Sequence, residues 1–251
     1  MSLLSPELRI ALLPGRAALA DREGQAVAED ASTGWAGALA ALARLLAERK
    51  AKGTASVVLS QHFVRGFLLP PPAAWLSRRE MRAWLVEQLR EPLDGGVGWQ
   101  LVWQPARPGR PILVCAAEHA WLDAMRDSLR DAGIKLGRLQ PWLAVAFNRR
   151  QPVLRRASGW YALLEPGMAC LMRLEQGELT ALRQRQLGPE PVTELRGMIA
   201  REALLAGSVA SGELWLDSAG LRGAWQDLAA PEMPVRELPG ATSLQGAMLA
   251  T

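Results

Sequence analysis

One order of apolar runs occurs twice along the chain, and it constrains the fold more than any single motif. In "LRIALLPGRAALADREGQAVAED", Leu8 to Leu13 is apolar, Pro14-Gly15 turns, Ala17 to Ala20 returns, and Glu23-Gly24 turns again before Gln25 to Glu29. Turn residues at such short intervals predict a β-meander. Leu39, Leu42, Leu45 and Leu46 then recur at helical spacing. They predict a helix from Trp35 to Lys50, capped by Ser32-Thr33 and ended before Gly53. A strand from Val57 closes the unit. The order restarts near Trp160: "WYALLEPG", "ACLMRLEQG" and "ELTALRQRQL" are three strands joined by Pro-Gly and Gln-Gly turns. A helix from Val192 to Leu205 and the strand "ELWLD" follow. Two lobes are expected, each a mixed sheet flanked by helices, in an α/β (α+β) chain.

Between the units lies "VVLSQHFVRGFLLPPP", two apolar runs separated by the polar elbow Ser60-Gln61-His62. Ser77 with Glu80 is a capping-box signature for a helix bearing Trp84, Leu85 and Leu89. "WQLVWQP" and "RPILVCAAE" read as strands. Leu122, Met125 and Leu129 mark a helix from His119 to Ala132, ended by Gly133. "IKLGRLQPW" is a short strand and turn, and Pro141 opens a helix holding Leu143, Val145, Ala146 and Phe147. "NRRQPVLRRASG", Asn148 to Gly159, reads as the inter-lobe linker. The boundaries are therefore residues 1–150, with an inserted subdomain at about 61–110, and residues 151–251. Late in the chain a helix over Ala219 to Leu228 and a short strand near "VRELPG" are expected, and the tail carries no packing signal.

Composition removes several classes of function. About half of the 251 residues are apolar and the net charge is only +4, which suits a folded chain and not a disordered one. The densest basic cluster, Arg149-Arg150 with Arg155-Arg156, lacks the interleaved aromatics of a nucleic-acid surface. Cys115 and Cys170 sit inside apolar runs, as reduced core thiols do. With only His62 and His119 as histidines, no ligand spacing predicts a metal. No apolar run approaches the roughly 20 residues of a membrane span. A cytoplasmic protein that meets the membrane only through a partner is expected.

"VVLSQHFVRGFLLP" ahead of a Trp-bearing helix, then "GRLQPWLAVAFNRR" and "GWYALLEPGMACLMRLEQGEL", resembles the PilM-like and GspL-like scaffold proteins of type IV pili and type II secretion systems. The likeness runs from Leu8 to about Asp217. It implies two ribonuclease-H-like lobes of the actin, hexokinase and Hsp70 superfamily. It further implies a non-catalytic scaffold, peripheral at the inner membrane, that grips the tail of a PilN-like or GspL-like membrane protein. Contacts with the assembly ATPase and a homodimer through strand edges belong to the same expectation.

ATP-binding members of that superfamily carry an Asp-x-Gly-Ser/Thr loop in the first hairpin, a second Asp-x-Gly loop opening the second lobe, and a Gly-Gly element for adenosine. Here the first hairpin reads Leu13-Pro14-Gly15-Arg16 and lacks the Asp. The second reads Glu165-Pro166-Gly167-Met168, where Pro166 removes a backbone donor. Neither has the following Ser or Thr, and the paired glycines Gly95-Gly96 fall in the wrong lobe. Gly15, Arg16, Glu165 and Gly167 are thus degenerate nucleotide-loop positions, and neither ATP nor Mg is expected as a cofactor. The alternative is a diverged ATPase or kinase with Glu165 as the metal-side carboxylate.

Two further candidates remain. Ser60 and His62 could be nucleophile and base, but no nucleophile elbow surrounds them, so an elbow at the lobe surface is expected. His119 reads as a solvated first-turn residue. Ten tryptophans stand against one tyrosine, and Trp is enriched at binding hot spots. Trp142, Asn148, Arg149 and Trp160 are therefore expected to border a partner-binding cleft.

Overall fold

Strand β1 (Glu7–Leu13) pairs antiparallel with β2 (Arg16–Asp21), and β2 with β3 (Gly24–Glu29), in a computed structural model that describes residues 7–95, 98–105, 107, 109–207, 212–219, 221, 223–240 and 243–250. Helix α1 (Gly34–Arg49) returns the chain to β4 (Gly53–Leu59), which lies parallel to β1 with Leu12 beside Leu59. The chain then builds a separate three-stranded sheet from β5 (Arg65–Leu69), β6 (Trp99–Trp103) and β7 (Ile112–Glu118), covered by α2 (Arg78–Gln88). Helix α3 (His119–Asp131) and β8 (Ile134–Pro141) complete the first sheet in the order β3-β2-β1-β4-β8.

After α4 (Trp142–Leu154), β9 (Gly159–Glu165), β10 (Met168–Glu175) and β11 (Glu178–Gln186) repeat the meander. Helix α5 (Pro191–Leu205), β12 (Glu213–Asp217) and β13 (Val235–Glu237) complete a second sheet, ordered β11-β10-β9-β12-β13, and α6 (Leu244–Leu249) ends the described chain. The doubled order read from the sequence is realised twice.

The period of two in each central strand explains how the sheets pack. In β1, Leu8, Ile10 and Leu12 face α1, whereas Ala11 and Leu13 face the other way, into a core shared with α4 and α6. In β9, Trp160, Ala162 and Leu164 face α5, while Tyr161 and Leu163 enter that same shared core. The lobes are thus joined through α4 and α6, which are packed between the inner faces of the two sheets.

Four expectations are corrected. The segment Asn148 to Leu154 is not linker but the second half of α4, Pro152 included. Leu154 is fully buried and Arg150 is ion-paired, so tertiary contacts outweigh the lost backbone bond. The helix expected over Ala219 to Leu228 shrinks to a 3-10 turn at Trp225–Leu228. The tail does pack: Ser243 caps α6, whose Leu244, Ala247, Met248 and Leu249 are buried. At α1, Thr33 closes no side-chain cap, whereas the Ser77–Glu80 capping box is complete.

Candidate functional site

Parallel strands of an open α/β sheet place ligand loops beyond their C-terminal ends. Here those ends belong to β1, β4 and β8 in one sheet and to β9, β12 and β13 in the other, and the loops after β4 and β9 meet. Glu165, the last residue of β9, is fully buried, and its carboxylate crosses to the elbow after β4. The Ser60 hydroxyl donates to Glu165 Oε2, and the Gln61 backbone N–H donates to Oε1 at 2.9 Å. Beside it, His62 Nε2 meets the Pro166 carbonyl at 2.9 Å. Gln184 on β11 completes the junction. Its Nε2 donates to the carbonyls of Gln61 (2.5 Å) and Val64 (2.8 Å), and its Oε1 accepts from Gly66 N at 2.9 Å.

Burial pushes the Glu165 carboxyl above the usual range, because a charge there loses its hydration, and the Ser60 and Gln61 hydrogen bonds oppose that rise. The elbow is therefore an internal joint and not the surface feature expected, with Ser60 and Gln61 almost wholly buried. Its serine faces a carboxylate and its imidazole a carbonyl.

The remaining loop positions are engaged in a similar way. Gly15, at φ 66°, donates its N–H to Gly34 O at 3.0 Å and accepts from Asp30 N at 2.8 Å. Gly37 of α1 lies so close beneath that a Cβ there would meet Ser32 O at 1.8 Å. Arg16 is ion-paired with Glu29 across the β2–β3 ladder. Gly167, at φ 72°, accepts from Leu187 N at 2.9 Å. The turn donor and the carboxylate that a phosphate and its cation would require are bonded to the protein itself. Gly95 sits at φ 98° after α2, and Gly96 lies outside the described residues.

A second acid, which the sequence reading missed, ends β12. Asp217 is buried, accepts from Arg150 Nε at 2.8 Å and lies 3.4 Å from the Tyr161 hydroxyl on the same oxygen. Burial, and then the neighbouring Asp217 charge, hold the Tyr161 phenol well above its ordinary range. An aspartate ending the apolar strand "ELWLD" was the available signal.

The four residues expected to border one cleft are not brought together. Trp142 belongs to the shared core and Trp160 to the core under α5, both nearly inaccessible. Arg149 lies over the Trp142 ring, 5.4 Å from its centroid, and donates to Ala247 O at 2.8 Å, tying α4 to α6. Asn148 lines an opening. His119 is half exposed, with Nδ1 3.2 Å from Asp123. Both cysteines are free thiols, Cys115 pushed up to about 12 by burial. Among the described residues no cluster of His, Cys, Asp and Glu could hold a metal.

That opening is a groove of 470 Å³ between the two sheets of the first half of the chain. Its walls are one face of β6 and the central strand β7, the strand β8 opposite, and residues of α3 and α4. β8 ends the five-stranded sheet and β6 ends the three-stranded one, and among the described residues neither has a strand on its outer side. Val64, Val102, Cys115, Leu136, Leu139 and Ala144 give it an apolar lining. Arg126 closes one side, donating to Gln100 Oε1 at 2.7 Å. No periodicity announces it, because it arises where two sheets from separate stretches of chain come side by side.

Compared as a structure, the molecule is similar to the PilM–PilN type IV pilus biogenesis complex: TM-score 0.69, 15% identity, covering 92% of this chain and 88% of that one. It is also similar to a Bacteroides thetaiotaomicron protein with an actin-like ATPase fold (TM-score 0.57, 8% identity, 90% and 86% covered). This chain has the actin-like fold. The cytoplasmic domain of EpsL, an inner-membrane component of the Vibrio cholerae type II secretion system, shares it (TM-score 0.56, 14% identity, 98% and 93% covered). Compared by sequence, the chain matches no protein-family model and no curated protein. In this actin-like chain the crevice between the sheets is bridged by Glu165, and the groove beside β6 and β8 is an open concavity with apolar walls. No helix among the described residues is long and apolar enough to cross a membrane.

Proposed function

We propose that the chain is a non-catalytic cytoplasmic scaffold of a type IV pilus or type II secretion assembly, holding the tail of a PilN-like or GspL-like inner-membrane partner. One observation carries the reading: Glu165, the carboxylate best placed to serve a nucleotide's cation, is buried against Ser60 and Gln61 and joins the two sheets. A group committed to such a joint is not available to a metal unless the joint opens. The apolar groove supplies the complementary half. An extended segment laid along the β8 edge gains main-chain hydrogen bonds there and places alternate side chains against Val102, Leu136 and Leu139. One similar structure is a complex with PilN, and another is the cytoplasmic part of a secretion-system membrane protein.

Genetic complementation tests the reading. In a strain lacking the gene, pilus assembly or secretion is lost, and it returns with the wild-type chain and with Glu165→Gln. Val102→Arg, on the exposed wall of the groove, does not restore it although it folds. Restoration by Val102→Arg at wild-type level would remove the groove from the account. Failure of a folded Glu165→Gln would return that residue to catalysis.

A further inference from the structure

The apolar groove does not end at α4. A second concavity of 480 Å³ adjoins it there, and the two share Gln104, Pro105, Leu113, Ala144 and Asn148 in their lining. The second concavity is the more polar of the two, although Leu68, Leu143, Phe147, Met172 and Leu179 also line it. Arg107, Arg110 and Arg155 line it together with Gln104, Asn148 and Gln151. Glu178 is the one carboxylate in that lining, 3.5 Å from Arg110 in a pair about half exposed on each side. Among the described residues no side-chain partner is found for Arg107 or Arg155. Three guanidiniums therefore face a single carboxylate, at the mouth of a trough whose other half is apolar.

Guanidinium groups recognise carboxylates through paired N–H donors, and the neighbouring amides supply more donors without adding charge. An occupant of the apolar trough that continued past Asn148 would place its next side chains among these arginines. We propose that the partner segment is bipartite: an extended apolar stretch in the groove beside β6 and β8, with aspartate or glutamate side chains immediately beyond it among Arg107, Arg110 and Arg155. The inference rests on the groove reading above and adds the charge of the partner to it.

The test is a random peptide library displayed on phage and selected against the purified full chain, with Val102→Arg as counter-selection. Peptides that bind the wild type and not Val102→Arg are expected to alternate apolar residues and to carry Asp or Glu at one end. Changing those acids to Gln or Asn in synthetic peptides should weaken binding about three- to tenfold at low salt and flatten its salt dependence. Selection against Arg110→Glu/Arg155→Glu should replace the acidic end by Lys or Arg. The altered peptides read the same contact without touching the protein, so a poorly folding double variant does not decide the matter. Groove-dependent peptides with no acidic enrichment, or indifferent to the Gln change, would overturn the bipartite partner and leave the groove standing. An absence of any Val102-sensitive peptide would overturn the groove and this inference with it.

Discussion

Removing the Glu165 side chain probes the joint between the sheets most sharply. Glu165→Ala leaves the Ser60 hydroxyl and the Gln61 N–H without their shared acceptor in a site from which water is excluded. Each buried unsatisfied group costs about 1–3 kcal/mol, so the variant should lose about 2–6 kcal/mol. For a chain of this size that is roughly 4–24 °C in Tm. Glu165→Gln keeps an oxygen for Gln61 N and offers Ser60 an N–H, while removing the desolvated charge. It should stay within about 1 kcal/mol of wild type.

The pH dependence separates the two variants further. A carboxyl whose folded pKa is raised contributes most to stability below its unfolded value, about 4.3, and loses that contribution as pH rises through the folded value. Wild type should therefore lose stability from Glu165 as pH climbs above about 4.3, and Glu165→Gln should lack that component. Urea unfolding followed by tryptophan fluorescence from pH 4 to 8 measures both effects. A Glu165→Ala variant as stable as wild type, or a Glu165→Gln variant with an unchanged pH profile, would refute the argument.

Other perturbations follow from the same contacts. Asp217→Asn removes the counter-charge of the largely buried Arg150 and should cost about 2–3 kcal/mol, read by thermal unfolding. Gly66→Val should cost about 1–3 kcal/mol by overpacking, since a Cβ at Gly66 would lie 3.1 Å from Leu182 and 3.3 Å from Leu143. Ending the chain at Ser243 removes the buried Leu244, Met248 and Leu249. It should destabilise on the order of 4 kcal/mol by the area they cover, with increased dye binding at the exposed shared core.

What the sequence disclosed was local. The meanders around Pro14-Gly15 and Pro166-Gly167, the Ser77–Glu80 box and the Leu122-Met125-Leu129 stripe depend on neighbours a few residues apart, and each is found in place. The site depends on residues far apart in the chain. Ser60 and Glu165 lie 105 positions from each other, and Gln184 lies 123 from Gln61, so no period or motif could pair them. That the loops around Gly15 and Glu165 lack an Asp before the Gly and a Ser or Thr after it was legible, but the bonding of Glu165 to the elbow after β4 was not. Trp142 and Trp160 misled for the converse reason. Tryptophan suits binding surfaces and cores alike, and the strand and helix phases that bury these two became plain only once two sheets shared one core. α6 escaped notice because six residues hold too few turns for a periodic signal.

Calorimetric titration of the purified chain with Mg-ATP and with Mg-ADP, up to millimolar concentration, separates a partner-holding scaffold from a nucleotide-binding chain. No saturable heat is expected with either, for wild type and Glu165→Gln alike. Saturable micromolar binding that Glu165→Gln abolishes would contradict the scaffold reading, and would mean that the Glu165–Ser60 joint opens to admit phosphate and metal.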